Sequence, residues 1–404
     1  MRLLILTPQF PYPPHQGTAI RNYNLIHQLA ARHKIHLLSF LEGPGKVEMP
    51  LRADCAAICT VMAPRRGMLD RIRTLLLSPL PDMALRLESE AMHQQLDELL
   101  TRHSYDVIQV EGIEMGPYLL QIASGKWRMA RDRPLLVFDD HNCEYVLQRR
   151  VLEADARRRG GWLGAFYSLI QWRKLVHYER RCCRAADRVM AVSEADGRAL
   201  ERLVPGLEVT IVPNGVDTAA YDPRRVEPLD LGPGAIVFTG KMDFRPNVDG
   251  ALWFAQQVLP LVRSKRPEVH FYIVGQQPHS RLDVLRGDPA VTITGFVPRI
   301  QPYIAGAAVY VIPLRMGGGT RLKVLEAMAL GRGLVSTRLG CEGFPLMRSG
   351  EHLLVADGAA PFAQAVLALL RDPSLGRGLG QAARDLVTAR YDWAEIVPRL
   401  EALY

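Results

Sequence analysis

Residues Gly317-Gly318-Gly319-Thr320-Arg321-Leu322-Lys323, with Glu326 one turn later, have the chemistry to hold a diphosphate. They follow the apolar run Val309–Pro313 and open a helical pattern, Leu322, Leu325, Ala329 and Leu330, that ends at Gly331. Glycines let main-chain N–H groups approach a ligand closely, and a helix N-terminus adds unpaired donors and partial positive charge. Thr320 is expected to cap the helix. Arg321 and Lys323 fall in its first turn, where each opposes the helix dipole at a cost of about 0.3–1 kcal/mol. A bound anion reverses that penalty. Replacing either cation is therefore expected to impair any chemistry done on that anion while leaving the empty fold as stable as before, or more so. The alternative is that both side chains extend into water. Glu326 is suited to accept hydrogen bonds from two vicinal hydroxyls, such as those of ribose; its alternative is a surface ion pair with Lys323.

His141 is the second candidate. It closes the run Leu135–Phe138 within Asp139-Asp140-His141-Asn142, at the carboxyl end of an expected strand. A histidine there can donate to a sugar hydroxyl or a phosphate. Packing is one alternative, and a metal site with Asp139 and Asp140 is another, opposed by the divergent directions of successive side chains. Glu111 and Glu144 are weaker candidates. Two common nucleotide signatures are absent: no Gly-Lys-Ser/Thr completes a P-loop, and G-x-G-x-x-G fails at Leu322.

The elements that must position these groups read as alternating strands and helices. Expected strands are Leu3–Leu6, Ile35–Phe40, Val107–Val110, Leu135–Phe138, Arg188–Val192 and Thr210–Val212. They continue with Ala235–Thr239, Val269–Val274, Val291–Thr294, Val309–Pro313, Gly333–Thr337 and His352–Val355. Helix-length segments such as Ala19–Ala31, Ser89–Arg102 and Val248–Arg263 lie between them, a pattern of parallel sheets covered by helices. Pro213-Asn214-Gly215 is a turn signal that divides the chain. Residues 1–213 and 214–387 are expected as two doubly wound α/β domains with a cleft between them, and 388–404 as a helix returning to the first. Ligands in such sheets bind beyond the carboxyl ends of the strands.

Composition excludes several classes. The 404 residues are 48% hydrophobic and 23% charged, as in a soluble globular protein. The six cysteines form no C-x-x-C pair and no zinc pattern, which points to reduced thiols. The N-terminal apolar stretch reads as a buried strand rather than a signal-peptide core, and no run suggests a transmembrane helix. Net charge is +8, and residues 149–184 hold ten Arg/Lys against three acidic residues, interleaved with Trp162, Phe166, Tyr167 and Trp172. Such a stretch can lie on an anionic membrane surface or be a solvated face. No nucleic-acid motif accompanies it.

Several segments together resemble the retaining glycosyltransferases of family 4, which have the GT-B fold of two Rossmann-like domains. They are TPQFPYPPHQGTAIRNYNLIHQLA, FDDHNCEY, ADRVMAVSEADGRAL with TIVPNGVDTAAYDP, VFTGKMDFRPNVDGALWF, FYIVGQQP, ITGFVPRIQPYIAGAAVYVIPLRMGGGTRLKVLEAMALG and the GCEGF block. The resemblance implies that Gly17 and Thr18 border the donor phosphates and that His141 approaches the transferred sugar. It implies that Lys241 and Arg245 belong to the site and that Phe296, Val297 and Pro298 line the base pocket. Arg321 and Lys323 would hold the diphosphate, beside Gly317, Gly318, Gly319 and Thr320, with Glu326 on the ribose. Catalysis would rest on His141, Arg321 and Lys323. Two departures stand out: Gly318 replaces a glutamate common in the family, and Pro246 replaces a common lysine.

The implied reaction moves a hexose-type sugar from a nucleoside diphosphate sugar, UDP- ahead of GDP-, to an acceptor hydroxyl with retention. No cofactor or metal is implied. The implied acceptor is a glycan or lipid-linked molecule of surface polysaccharide or glycolipid assembly. The implied setting is cytoplasmic, with peripheral attachment to the membrane's inner face. A sugar-nucleotide epimerase of the same fold and a non-catalytic nucleotide-sugar-binding protein are the rivals.

Overall fold

A computed structural model describes residues 1–14, 17–43, 49–125, 133–157 and 162–404. The chain divides into two compact units, Met1–Pro213 with Val397–Tyr404, and Asn214–Ile396. Residues 388–396 thus fall in the second unit, and only the last eight join the first.

The first unit is built on β1 (Arg2–Thr7), β2 (Lys34–Leu41), β3 (Ala57–Met62), β4 (Val107–Glu111), β5 (Leu135–Asp140), β6 (Arg188–Ala191) and β7 (Val209–Ile211). All pairs are parallel, in the order β3-β2-β1-β4-β5-β6-β7. Six of these strands correspond to the sequence expectation; β3 is the correction. Its Ala-Ile-Cys-Thr-Val-Met run is an edge strand, mostly half-buried, so it lacks the continuous apolar character that marks strands covered on both faces. Helices of this unit that matter below are α1 (Gly17–Ala30), α2 (Met68–Leu77), α3 (Glu144–Arg157) and α4 (Trp162–Ala185). The basic stretch 149–184 therefore spans α3 and α4; its Arg158 and Arg159 lie outside the described residues. No described helix is long and apolar enough to cross a membrane.

The second unit holds β8 (Ala235–Thr239), β9 (His270–Val274), β10 (Val291–Gly295), β11 (Val309–Ile312), β12 (Leu334–Ser336) and β13 (Leu354–Val355), in the order β10-β9-β8-β11-β12-β13. Its helices include α5 (Arg245–Trp253) and α6 (Leu322–Ala329). The expected long helix Val248–Arg263 is interrupted by a π turn at Phe254–Val258. Pro260 has no N–H to continue the regular ladder, and its ring crowds the carbonyl four residues back. Phe254 still packs on Phe271, ring centroids 4.5 Å apart, so the interruption leaves the core filled.

Both sheets are doubly wound. In each, the chain leaves the first strand toward one edge, then returns to that strand's other side. The return points lie between β1 and β4 and between β8 and β11, where such sheets open a crevice at their carboxyl ends.

Candidate active site

In the second unit the return point joins the loop after β8 to the loop after β11. The two loops carry Gly240-Lys241 and Gly317-Gly318-Gly319. Gly317 and Gly319 have φ of +108° and +74°, a region that residues with a Cβ rarely adopt. Gly275, after β9, meets the same crevice: a Cβ there would lie 1.7 Å from the Gly240 carbonyl oxygen.

These turns fix the two cations. Arg321 takes an extended backbone and is itself the N-cap of α6. Its guanidinium folds back to donate to the carbonyls of Gly318 and Gly319, and the residue is 9% exposed. The expected cap, Thr320, is corrected: its hydroxyl accepts from the Asn214 amide, a tertiary partner that replaces the local one. Lys323 donates from Nζ to the Thr239 carbonyl at 2.7 Å and to Asn247 Oδ1 at 2.8 Å, with the Phe238 ring centroid 4.4 Å away. Neither side chain extends into water. Desolvation, with the Arg321 charge as a smaller cause, lowers the Lys323 ammonium to about 7, while Glu326 pulls the other way. Asn247 in turn donates to the Lys241 carbonyl at 2.8 Å, which ties the two loops together.

Glu326 is half-buried on α6 and accepts from the Tyr221 hydroxyl at 3.1 Å. Burial raises its pKa against the opposing effects of Tyr221 and Lys323. Its partner is thus a half-buried phenol rather than a surface lysine. Lys241 pairs loosely with Asp243 at 3.4 Å, and Arg245 is exposed at the start of α5. Pro246, where the family often has lysine, packs beside the Gly317 turn. Phe296 is exposed just after β10 and Val297 is half-buried against the core. The sequence reading missed Asn247 and Tyr221. Asn247 had a visible signal, an amide in the first turn after a Gly-Lys loop; Tyr221 had none.

In the first unit, His141 follows β5. Its Nε2 donates to Glu111 Oε2 at 2.7 Å, with Asp139 Oδ2 at 3.6 Å. Glu111 and Asp139 are 1% and 0% exposed. Arg21 of α1 binds Asp139 at 2.8 Å and the Pro213 carbonyl at 3.2 Å. The other Glu111 oxygen accepts from Gln109, whose own carbonyl accepts from the Tyr404 hydroxyl. Burial disfavours the imidazolium, but Asp139 and Glu111 outweigh it and raise the His141 pKa. Asp139 is pushed up to about 6, chiefly by burial.

Asp139 and His141 share a strand face, and Asp140 points to the other, toward Glu179. So the metal alternative with both aspartates is corrected to a different set: Glu111, Asp139 and His141 have ligand atoms within 4.8 Å of one another. Arg21 and His141 already supply these carboxylates with donors. Glu179 accepts from the N–H groups of Glu144 and Tyr145 at 2.7 and 2.9 Å, so it caps α3 rather than serving the site. His141 borders a cavity of about 170 Å³ with Thr18, Gly112, Glu114 and Glu144. Gly17 is exposed at the first position of α1.

Two family models match the chain. That described as Glycosyltransferase Family 4 covers residues 15–220, and that described as Glycosyl transferases group 1 covers 233–372. A glycogen synthase of Mycobacterium tuberculosis is 26% identical over 262 residues, 62% of this chain and 60% of that protein, so the chain spans little more than half the relative's length. Among solved structures, sucrose-phosphate synthase of Thermosynechococcus elongatus superposes with a TM-score of 0.71 at 18% identity, covering 100% of this chain and 98% of that one. HepE of Anabaena, in complex with UDP-glucose, gives 0.65 at 15% identity and covers 99% of each chain. These likenesses establish the GT-B fold, and with a family model that covers half the residues, the chain belongs to Glycosyltransferase Family 4.

Proposed function

We propose that the protein is a retaining, metal-independent glycosyltransferase. It moves a hexose-type sugar from a nucleoside diphosphate sugar, UDP- ahead of GDP-, to an acceptor hydroxyl of a growing polysaccharide or glycolipid. The observation that carries this reading is the pinning of Arg321 and Lys323 by main-chain carbonyls beside Gly317–Gly319. Both cations are ordered before a ligand arrives, so little side-chain freedom is lost when a diphosphate binds. Negative charge grows on that diphosphate as the bond to the sugar breaks. Preorganised cations and N–H donors oriented toward developing charge are usually the largest catalytic contribution. Glu326 serves the ribose, and the residues after β10, Phe296 and Val297, serve the base. His141, whose protonated form Asp139 and Glu111 favour, donates to the transferred sugar. The UDP-glucose complex of HepE supports the nucleotide choice.

The test is a panel of UDP-, GDP- and ADP-sugars, scored by thermal stabilisation and by release of nucleoside diphosphate. A donor at 100 times its Kd adds about 2.7 kcal/mol of stability. Turnover with an acceptor is expected to survive EDTA, and the product's anomeric configuration is read by NMR. Binding without turnover identifies a nucleotide-sugar-binding protein, turnover without transfer an epimerase or hydrolase, and absence of any binding by folded protein refutes the reading.

A further inference from the structure

Helix α2 leaves four large apolar side chains in solvent. Met68, Leu69, Ile72 and Leu77 are 79%, 82%, 51% and 75% exposed. Single exposed apolar residues are ordinary, but four on one short helix are a patch that calls for a cover. The helix is nonetheless held in place. Arg66 pairs with Asp82 at 2.8 Å, and Asp70 accepts from the Gly67 N–H at 3.0 Å. At its far end the carbonyls of Thr74 and Leu75 accept from Lys174 Nζ of α4 at 3.3 and 2.7 Å.

That last contact makes α2 and α4 neighbours, and α4 has its own exposed apolar residues. Trp162 and Phe166, one turn apart and so on one face, are 71% and 61% exposed. Arginines surround this apolar surface: Arg65, Arg71 and Arg73 are exposed on and before α2, Arg71 standing 3.6 Å from Asp82, and the helix's only acidic residue is Asp70. Apolar side chains beside arginines suit a lipid interface, where the apolar groups enter the acyl boundary and the arginines reach the phosphates. A second copy of this chain would set two basic faces against each other, which like-charge repulsion opposes.

We propose that α2, together with the Trp162–Phe166 turn of α4, docks the protein on an anionic lipid surface. It goes beyond the transferase reading, and its test is independent of donor turnover. The full chain is sedimented with vesicles of phosphatidylcholine alone or mixed with phosphatidylglycerol, at low and high salt. Anionic vesicles are expected to bind it at least about tenfold more strongly, with most of the difference lost at high salt. Replacing Leu69 and Ile72 by Ser is expected to abolish binding. Arg65→Gln with Arg73→Gln is expected to weaken it roughly fivefold per arginine. The substituted side chains are exposed, and unchanged melting curves confirm folding; Trp162→Ser with Phe166→Ser is the parallel variant on α4. Equal partitioning to neutral and anionic vesicles overturns the proposal. So does undiminished binding by the α2 variants. Concentration-dependent self-association that Leu69→Ser abolishes, without vesicle binding, assigns the patch to a second copy instead.

Discussion

The two clusters of charged residues treat their cations in opposite ways. In the second unit, Arg321 and Lys323 are held by neutral carbonyl and amide oxygens. These oxygens orient the two side chains without themselves neutralising them. In the first unit, His141 is held by Glu111, with Asp139 close behind. Those carboxylates favour its protonated form and offset the charge it then carries, which suits it to donate a hydrogen bond rather than to receive an anion. Fixing a cation and spending its charge are separate acts, and the choice of partner decides between them.

The sharpest way to break this contrast is Arg321→Ala with Lys323→Ala. Transition-state stabilisation by such groups is worth roughly 100- to 1000-fold in rate each, and steady-state turnover measures it. A double variant that keeps near-parental turnover places the diphosphate elsewhere. The structure also opposes the expectation that these variants are at least as stable as the parent. Lys323 satisfies the carbonyl of buried Thr239 and Arg321 those of half-buried Gly318 and Gly319, and orphaning a buried acceptor costs about 1–3 kcal/mol. A melting curve of the empty protein decides which effect wins.

Lys323 supplies a pH test of the same contrast. Its folded pKa, about 7, lies below the unfolded value of 10.5. The unfolded chain therefore binds more protons between these values, so this group's contribution to stability improves as pH rises from about 7 to 10.5. Donor affinity is expected to move the other way, falling above pH 7 as the ammonium is lost. Calorimetry in buffers of different ionisation enthalpy should show proton uptake on donor binding near pH 7. No net proton exchange means that Lys323 does not meet the diphosphate.

Glu326→Gln is expected to weaken donor binding by roughly 1.5–3 kcal/mol, the range for a hydrogen bond to a charged group. The Tyr221 hydroxyl can still donate to the amide oxygen, so melting should change less than affinity. Glu111→Gln sharpens the other side of the comparison. Without that carboxylate the His141 pKa falls, so transfer at pH 7–8 should drop by about tenfold and recover as pH is lowered. A uniform loss at every pH means a purely structural role, and the ring nitrogen shifts of His141 report its charge directly. Tyr404→Phe is the smallest step. It removes one hydrogen bond to Gln109, worth about 1 kcal/mol, and should shift the activity–pH profile slightly in the same direction as Glu111→Gln.

Sequence alone determined the alternating elements, because a strand covered on both faces must be continuously apolar. It identified Gly317, Gly319 and the cations after them, because positive-φ turns and a broken helix-dipole rule leave local marks. It also placed His141 at the end of a strand. Those signals weaken wherever a residue's fate depends on a distant neighbour. The edge strand β3 is half-buried and so looks like a loop. Thr320 reads as a cap until Asn214, 106 residues away in the chain, takes its hydroxyl. Asp139 and Asp140 are read from sequence as pointing apart, but only packing shows that one binds Arg21 and the other faces Glu179. The alternative reading of Glu326 as the surface partner of Lys323 fails because Thr239 and Asn247 accept from Lys323 and Tyr221 donates to Glu326. Residue type, period and spacing are local properties, whereas the partner of a buried charge is chosen by packing that joins segments far apart in the chain. The sequence therefore determined which charges this protein has, and tertiary structure alone decided which groups each of them meets.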